Sequence, residues 1–178
     1  MLSTDITNGQ GNTYYVASVG SDNNTLANGG NAGLHPDTPF LTITKALGTA
    51  TAGDTIIVAP GEYQEAFPMT VPDGVTLRGT NLRSTSVKPT GVTNANTAFK
   101  LSGDCHVSDL TIKDFYYDSS NDDGYAFELI TSLNSTQSPY IERCTVTTKG
   151  SVTSASDPYG YAQGDAGRGA KLDGANIA

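Results

Sequence analysis

The sequence predicts an all-β chain: a stack of short parallel strands, a parallel β-helix, with one short helix at its N-terminal end. Three observations carry that prediction. The chain holds 24 Thr, a strand former, beside 20 Gly, 15 Ser, 14 Asp and 12 Asn, which favour turns. Leu, Ile, Val and Phe together make 35 of 178 residues, near the roughly 20% level at which disorder competes with folding. The high charge that accompanies disorder is missing, since charged residues are 16% of the chain, so a thin, stacked core fits better than a collapsed globule. The third observation is an internal repeat.

The elements follow in order. Residues 1–12 have no apolar periodicity and read as an arm. Thr13-Tyr14-Tyr15-Val16-Ala17 is a strand by aromatic and β-branched content, and the Gly, Asn and Asp-rich residues 18–38 are loop. A helix is expected over 39–50, capped by Asp37 or Thr38, with Pro39 at its first position. Phe40, Ile43, Leu47 and Ala50 give it one apolar stripe of about three turns, and Gly48 or Gly53 ends it. Residues 13–53 thus form a lead-in of strand, loop and helix, and residues 54–178 the coils. The first coil strand lies in Gly53-Asp54-Thr55-Ile56-Ile57-Val58-Ala59-Pro60-Gly61-Glu62-Tyr63, closed by a Pro-Gly turn.

The repeat is apolar-x-x-apolar-x-apolar. It occurs at Val107–Ile112, at Ile141–Val146 and at Leu172–Ile177, and Val75-Thr76-Leu77 matches its last three positions. The markers Leu77, Ile112, Val146 and Ile177 stand 35, 34 and 31 residues apart, in the range of solenoids and propellers. No helical pattern lies within the units. Further strand candidates at 86–88, 98–101 and 126–130 give two or three strands per unit, as a parallel β-helix needs. The alignment predicts one inward stack of Leu77, Ile112, Val146 and Ile177 and a second of Val75, Leu110, Cys144 and Ala175. Thr76, Thr111, Thr145 and Asn176 should face outward between them. An open end of such a stack exposes unpaired backbone groups, and the helix at 39–50 is suited to closing the first. Ile177-Ala178 falls inside an expected strand, so the coils are expected to continue past residue 178 or to be covered by a partner.

Several function classes are disfavoured. Ten Lys and Arg against 18 Asp and Glu give a net charge of −8, with no basic patch for nucleic acid. The longest apolar run, Ile56-Ile57-Val58-Ala59, is far short of a membrane span. No secretory signal pattern opens the chain. Two cysteines 39 residues apart make neither a zinc site nor a disulfide framework. No motif implies a cofactor.

The run Tyr14-Tyr15-Val16, Gly20-Ser21-Asp22, then Thr38-Pro39-Phe40-Leu41-Thr42-Ile43-Thr44-Lys45-Ala46-Leu47, then residues 53–63 and Val71-Pro72-Asp73-Gly74-Val75-Thr76-Leu77-Arg78-Gly79 resembles the start of right-handed parallel β-helix proteins of the pectate-lyase-like superfamily. Residues 103–110 and Tyr159-Gly160-Tyr161-Ala162-Gln163-Gly164-Asp165-Ala166-Gly167-Arg168-Gly169-Ala170 are similar to β-helical virion proteins of tailed marine phages, chiefly cyanophages. The first resemblance implies a right-handed coil. The second implies a tail-fibre or tailspike component of a phage virion, commonly a homotrimer. Its partners would be other virion tail proteins and a host surface polysaccharide.

Candidate sites are sparse. Asp118, Asp122 and Asp123 lie in an acidic loop flanked by Tyr116, Tyr117 and Tyr125. As a catalytic set they would supply the paired carboxylates of a glycosidase, with the tyrosines stacking on sugar rings. The plainer reading is a solvated turn. Oxygen ligands for calcium are present there, but not the spacing of an EF-hand. Lyases of the superfamily use a coil-surface Arg as base beside calcium-binding acids, which would fall on Arg143 and Glu142. The aligned Ser108-Asp109 and Asp173-Gly174 supply no acidic ladder, so a surface ion pair is the simpler account. Cys144 fills a core slot, Cys105 and His106 point to opposite faces, and His35 sits in the lead-in loop. The glycines of 149–169 form no phosphate-cradling pattern. The expectation is therefore a structural virion protein of host attachment or assembly, with no membrane insertion and no nucleic acid. The alternative is a polysaccharide depolymerase acting through Asp118, Asp122 and Asp123. A passive glycan-binding module using Tyr116, Tyr117 and Tyr125 is a third reading.

Overall fold

The computed structural model describes residues 11–28, 30–90, 97–115, 125–130, 138–148 and 168–173. These residues are mostly strand, in three parallel sheets, with very little helix. The first sheet holds β1 (Thr13–Val16), β2 (Thr55–Val58), β5 (Thr76–Gly79), β8 (His106–Ser108) and β11 (Tyr140–Glu142), in that order. The second holds β3 (Gly61–Glu65), β6 (Thr85–Pro89), β9 (Thr111–Phe115) and β12 (Thr145–Thr148). The third holds β4 (Met69–Val71), β7 (Phe99–Ser102), β10 (Tyr125–Ile130) and β13 (Arg168–Asp173). After β1 the chain visits the three sheets in strict rotation, one strand in each. Each strand therefore pairs with the strand one unit earlier, always parallel.

Alternate residues of each strand point inward, so the register stacks like upon like. Ile56, Leu77 and Val107 are aligned and fully buried in the first sheet. Tyr63, Val87 and Ile112 are the buried file of the second. Met69, Phe99 and Phe127 form that of the third, with the two phenylalanine rings stacked 5.8 Å apart. Burying such a side chain is worth about 1.5–3 kcal/mol, so a thin file of them suffices where each layer has neighbours above and below.

The expected ladders need a change of register. Ile112 does lie opposite Val146, as Val107 does opposite Ile141. Leu77, however, pairs with Val107 and belongs to the first sheet, not with Ile112 in the second. Val75 correspondingly precedes Thr76 as Cys105 precedes His106, and its carbonyl accepts the His106 N–H at 3.0 Å. Leu172 lies in β13 opposite Leu129 in the third sheet, rather than level with Ile141. Arg168 and Gly169 likewise belong to β13, not to a loop. The marker Ile177, with Ala175 and Asn176, lies outside the described residues. Strands β3 and β4 are additional to the sequence reading.

The helix is also shorter than expected. α1 spans Ile43–Leu47, with Thr42 as N-cap and Gly48 as C-cap. Pro39 and Phe40 are outside it, and neither Asp37 nor Thr38 caps it. Phe40 is extended: its N–H donates to the Tyr15 carbonyl at 2.8 Å and its own carbonyl accepts from Ala17 at 3.0 Å. Its ring stacks on Tyr14 and is buried. Ile43, Ala46 and Leu47 are buried, and α1 packs against β1, β2, β3 and β4, which include the outermost strand of every sheet. No helix among the described residues is long and apolar enough to cross a membrane.

Candidate functional site

The outer face of the first sheet carries two files of side chains. One runs Thr13, Thr55, Thr76, His106, Tyr140, and the other Tyr15, Ile57, Arg78, Ser108, Glu142. The files are uncharged up to β2 and become charged from β5 to β11. At the end of β8 and of β11 the chain turns through Asp109 (φ 57°) and Arg143 (φ 46°). Both sit in the left-handed region that side-chain-bearing residues seldom adopt, and both occupy the same corner one unit apart. One unit earlier that corner is Gly79, where a Cβ would stand 2.1 Å from the Asp109 carbonyl oxygen.

The corner aligns the charges. Arg143 donates through Nε and Nη2 to the two Asp109 oxygens, at 2.7 and 2.9 Å, a bidentate fork. Arg78 Nε lies 3.3 Å from the same carboxylate, and Arg143 Nη1 lies 2.8 Å from Glu142 Oε2. His106 Nε2 is 3.6 Å from Glu142 Oε1, beyond hydrogen-bond length. The Tyr140 ring sits beside the His106 ring at 4.9 Å and is 57% exposed. His106 Nε2 and Ser108 Oγ are buried without a hydrogen-bond partner among the described residues.

The electrostatics favour holding over proton transfer. The Arg143 guanidinium keeps Asp109 below the ordinary aspartate range, and Asp109 in turn raises Arg143 further. A glycosidase acid needs a carboxyl pushed up, and an arginine base needs a guanidinium pushed down. Both shifts here run the other way.

Of the residues singled out from sequence, Asp118, Asp122, Asp123, Tyr116 and Tyr117 lie outside the described residues. Tyr125 opens β10 and is buried, 5% exposed, so its ring is not offered to solvent. Glu142 and Arg143 do form the surface ion pair, with Asp109 as the stronger partner of the arginine. Arg78, His106 and Tyr140 were missed as a group. Level alignment of Val107 with Ile141, already visible in the repeat, sets His106 beside Tyr140 and Ser108 beside Glu142. Cys105 is buried and Cys144 half-buried, and burial raises both thiols, the opposite of an activated thiolate. His35 is exposed, 3.5 Å from Asp37. No group of three or more His, Cys, Asp or Glu converges among the described residues.

A polar groove of about 290 Å³ lies beside α1, lined by Ser18, Leu41, Thr42, Glu62, Tyr63, Gln64 and Glu65. Its carboxylates are committed: Glu62 bonds Lys113 and Lys88, which pull it down to about 2, and Glu65 holds the start of α1. The Tyr63 hydroxyl, pushed up to about 12 by burial, donates to the Ala59 carbonyl at 2.9 Å.

Residues 22–137, about two thirds of the chain, match a protein family described as "Protein of unknown function (DUF1565)". No curated protein and no solved structure matches the chain.

Proposed function

The chain belongs to that family, DUF1565, and we propose that it is a right-handed parallel β-helix serving as a rigid structural component of a tailed-phage virion, of tail-fibre or tailspike type, that meets the host surface. One observation supports the rod: strands rotate through three parallel sheets while outward charges tie successive units together. Glu62 of β3 pairs with Lys88 of β6 and Lys113 of β9. Lys100 of β7 pairs with Glu128 of β10, and Asp109 takes Arg78 from the unit before and Arg143 from the unit after. The pairs recur from unit to unit and add a small term each to the parallel ladders that hold the stack together, an arrangement suited to a spike. Support for the virion comes from the resemblance at residues 103–110 and 159–170.

Mass spectrometry of gradient-purified particles tests the location. Under this reading the chain co-purifies in stoichiometric amount with tail proteins, and antibodies to it label the tail in electron micrographs. Absence from particles made by cells that express it overturns the virion assignment. Light scattering on the purified chain should report three copies. Release of reducing ends from host-surface polysaccharides, lost on changing Asp118, Asp122 and Asp123 to Asn, would replace this reading with the depolymerase.

A further inference from the structure

We propose that the outer face of the first sheet around Tyr140 is a binding site for an uncharged pyranose ring of a surface glycan. The assignment rests on the host-contact reading and narrows it to one face and one ligand class. Tyr140 is the one exposed tyrosine or phenylalanine among the residues whose burial is described. A tyrosine ring offers an apolar platform of fixed shape, and the C–H face of a pyranose covers such a ring well. His106 packs against Tyr140 at 4.9 Å and limits its rotation.

The neighbouring file of the same sheet face carries hydrogen-bonding groups of both kinds, Glu142 on the strand of Tyr140 and Arg78 two strands away. Arg78 on β5 is 60% exposed and meets Asp109 through Nε at 3.3 Å, so its terminal amino groups have no partner among the described residues and remain as donors. Glu142 is held by Arg143 through Oε2, while Oε1 stands 3.6 Å from His106, too far to be occupied by it. Glu142 therefore keeps an acceptor. Donor and acceptor lie in one file, separated by the Ser108 strand, and the fork between Arg143 and Asp109 holds them in place before a ligand arrives. Groups ordered in advance lose less entropy on binding.

The charge balance selects the ligand class. Arg78 and Arg143 are cancelled by Asp109 and Glu142, so the patch has no excess cation for an acidic sugar. The chain as a whole carries −8, which disfavours the approach of a polyanion. Vicinal hydroxyls, each donor and acceptor at once, fit a neutral patch of mixed donors and acceptors.

The test is an array of neutral and acidic bacterial-surface oligosaccharides, probed with the labelled 178-residue chain. Neutral glycans are expected to bind. Tyr140→Ala should weaken that binding about ten-fold and Arg78→Gln about five-fold, whereas Tyr140→Phe, which keeps the platform, and Tyr15→Ala, at the other end of the same face, should leave it unchanged. Equal thermal melting of the variants shows that they are folded. Binding confined to acidic glycans, neutral binding indifferent to both Tyr140→Ala and Arg78→Gln, or no binding at millimolar glycan each overturns the site. Particle mass spectrometry decides location separately, so neutral-glycan binding by a chain absent from virions would uphold the site and remove the phage.

Discussion

Around α1 the carboxylates hold backbone, whereas along the sheet faces they hold cations. Asp22 accepts the N–H groups of Leu41 and Thr42 and the Thr42 hydroxyl, at 2.8 to 3.0 Å. Asp54 accepts from the N–H groups of Asn12 and Thr51 at 2.6 and 2.7 Å. Glu65, 3% exposed, takes the Ile43 N–H at 2.7 Å and the Thr44 N–H and hydroxyl at 3.3 and 2.6 Å. Glu62, Asp109 and Glu128, by contrast, face lysine or arginine on neighbouring strands, and Glu142 faces the guanidinium of Arg143. The difference lies in what the backbone already has. In the lead-in, the chain leaves the ladders and enters a helix of five residues, whose first N–H groups have no partner within it. Side chains must supply the acceptors, because a buried unpaired N–H is costly. Within the sheets every strand is already paired on at least one side, so the outward carboxylates are available to bind one another's neighbours.

The sharpest way to break the comparison is Glu65→Ala. It strands a buried N–H at Ile43, and urea unfolding should show a loss of about 2–4 kcal/mol. A loss below about 1 kcal/mol would mean that solvent or another side chain takes over the helix start, and that the two groups of carboxylates are alike. Next comes Gly79→Ala, which tests how tightly one unit sits on the next. The added methyl would press on the Asp109 carbonyl, and the expected cost is about 1–3 kcal/mol, read from the melting midpoint. A neutral result would mean that the corner opens freely.

Acid should separate the two regions further. Glu62 is held at about 2 in the fold against 4.5 ordinarily, by Lys113 and Lys88. A carboxylate depressed by folding stabilises fully above its unfolded value and loses that contribution as pH falls through its folded value. Stability should therefore decline between about pH 4.5 and pH 2, and Glu62→Gln should decline less over the same interval in pH-dependent melts. Part of the slope should survive in that variant. Burial would raise Asp54, but the hydrogen bonds from Thr51 and Asn12 outweigh it and lower the group, which adds loss of the same sign. Identical slopes for wild type and variant would place the acid sensitivity in the lead-in. The smallest effect belongs to Arg143→Gln. Arg143 is 52% exposed and its partners Asp109 and Glu142 are partly exposed, at 14% and 29%; contacts open to solvent in this way contribute roughly 0–1 kcal/mol, so the variant's melting point should barely move. A large drop would show that the turn at Arg143, with its positive φ, leans on the fork to Asp109.

Much was legible beforehand for a physical reason. Strand residues separated by turn residues identify short strands wherever the chain lies, and Thr13–Val16, Thr55–Val58 and Thr85–Pro89 each follow from their own composition. The pairing of Val107–Ile112 with Ile141–Val146 was also legible, since two adjacent strands repeat together there. Leu77 was misassigned because Val75-Thr76-Leu77 and Leu110-Thr111-Ile112 carry the same three-residue pattern in different sheets. Phe40 misled in a related way. Its spacing to Ile43 fits a helix stripe, yet the same burial is met by an extended residue bonded to Tyr15 and Ala17 that precedes a shorter helix.

The sequence by itself determined the short strands, the thin core and the place of the helix before the first repeated strand, because each depends on local composition and on alternation along a few residues, and its repeat implied that the strands stack in parallel. Only the tertiary structure decided which sheet each strand joins. It likewise decided that Asp109 reaches Arg78 and Arg143, and that Tyr140 stands beside His106. Those neighbours are 30 or more residues apart in sequence. They meet because the connections between units differ in length while the strands stay in register, and connection length leaves no periodic mark on the residues it brings together.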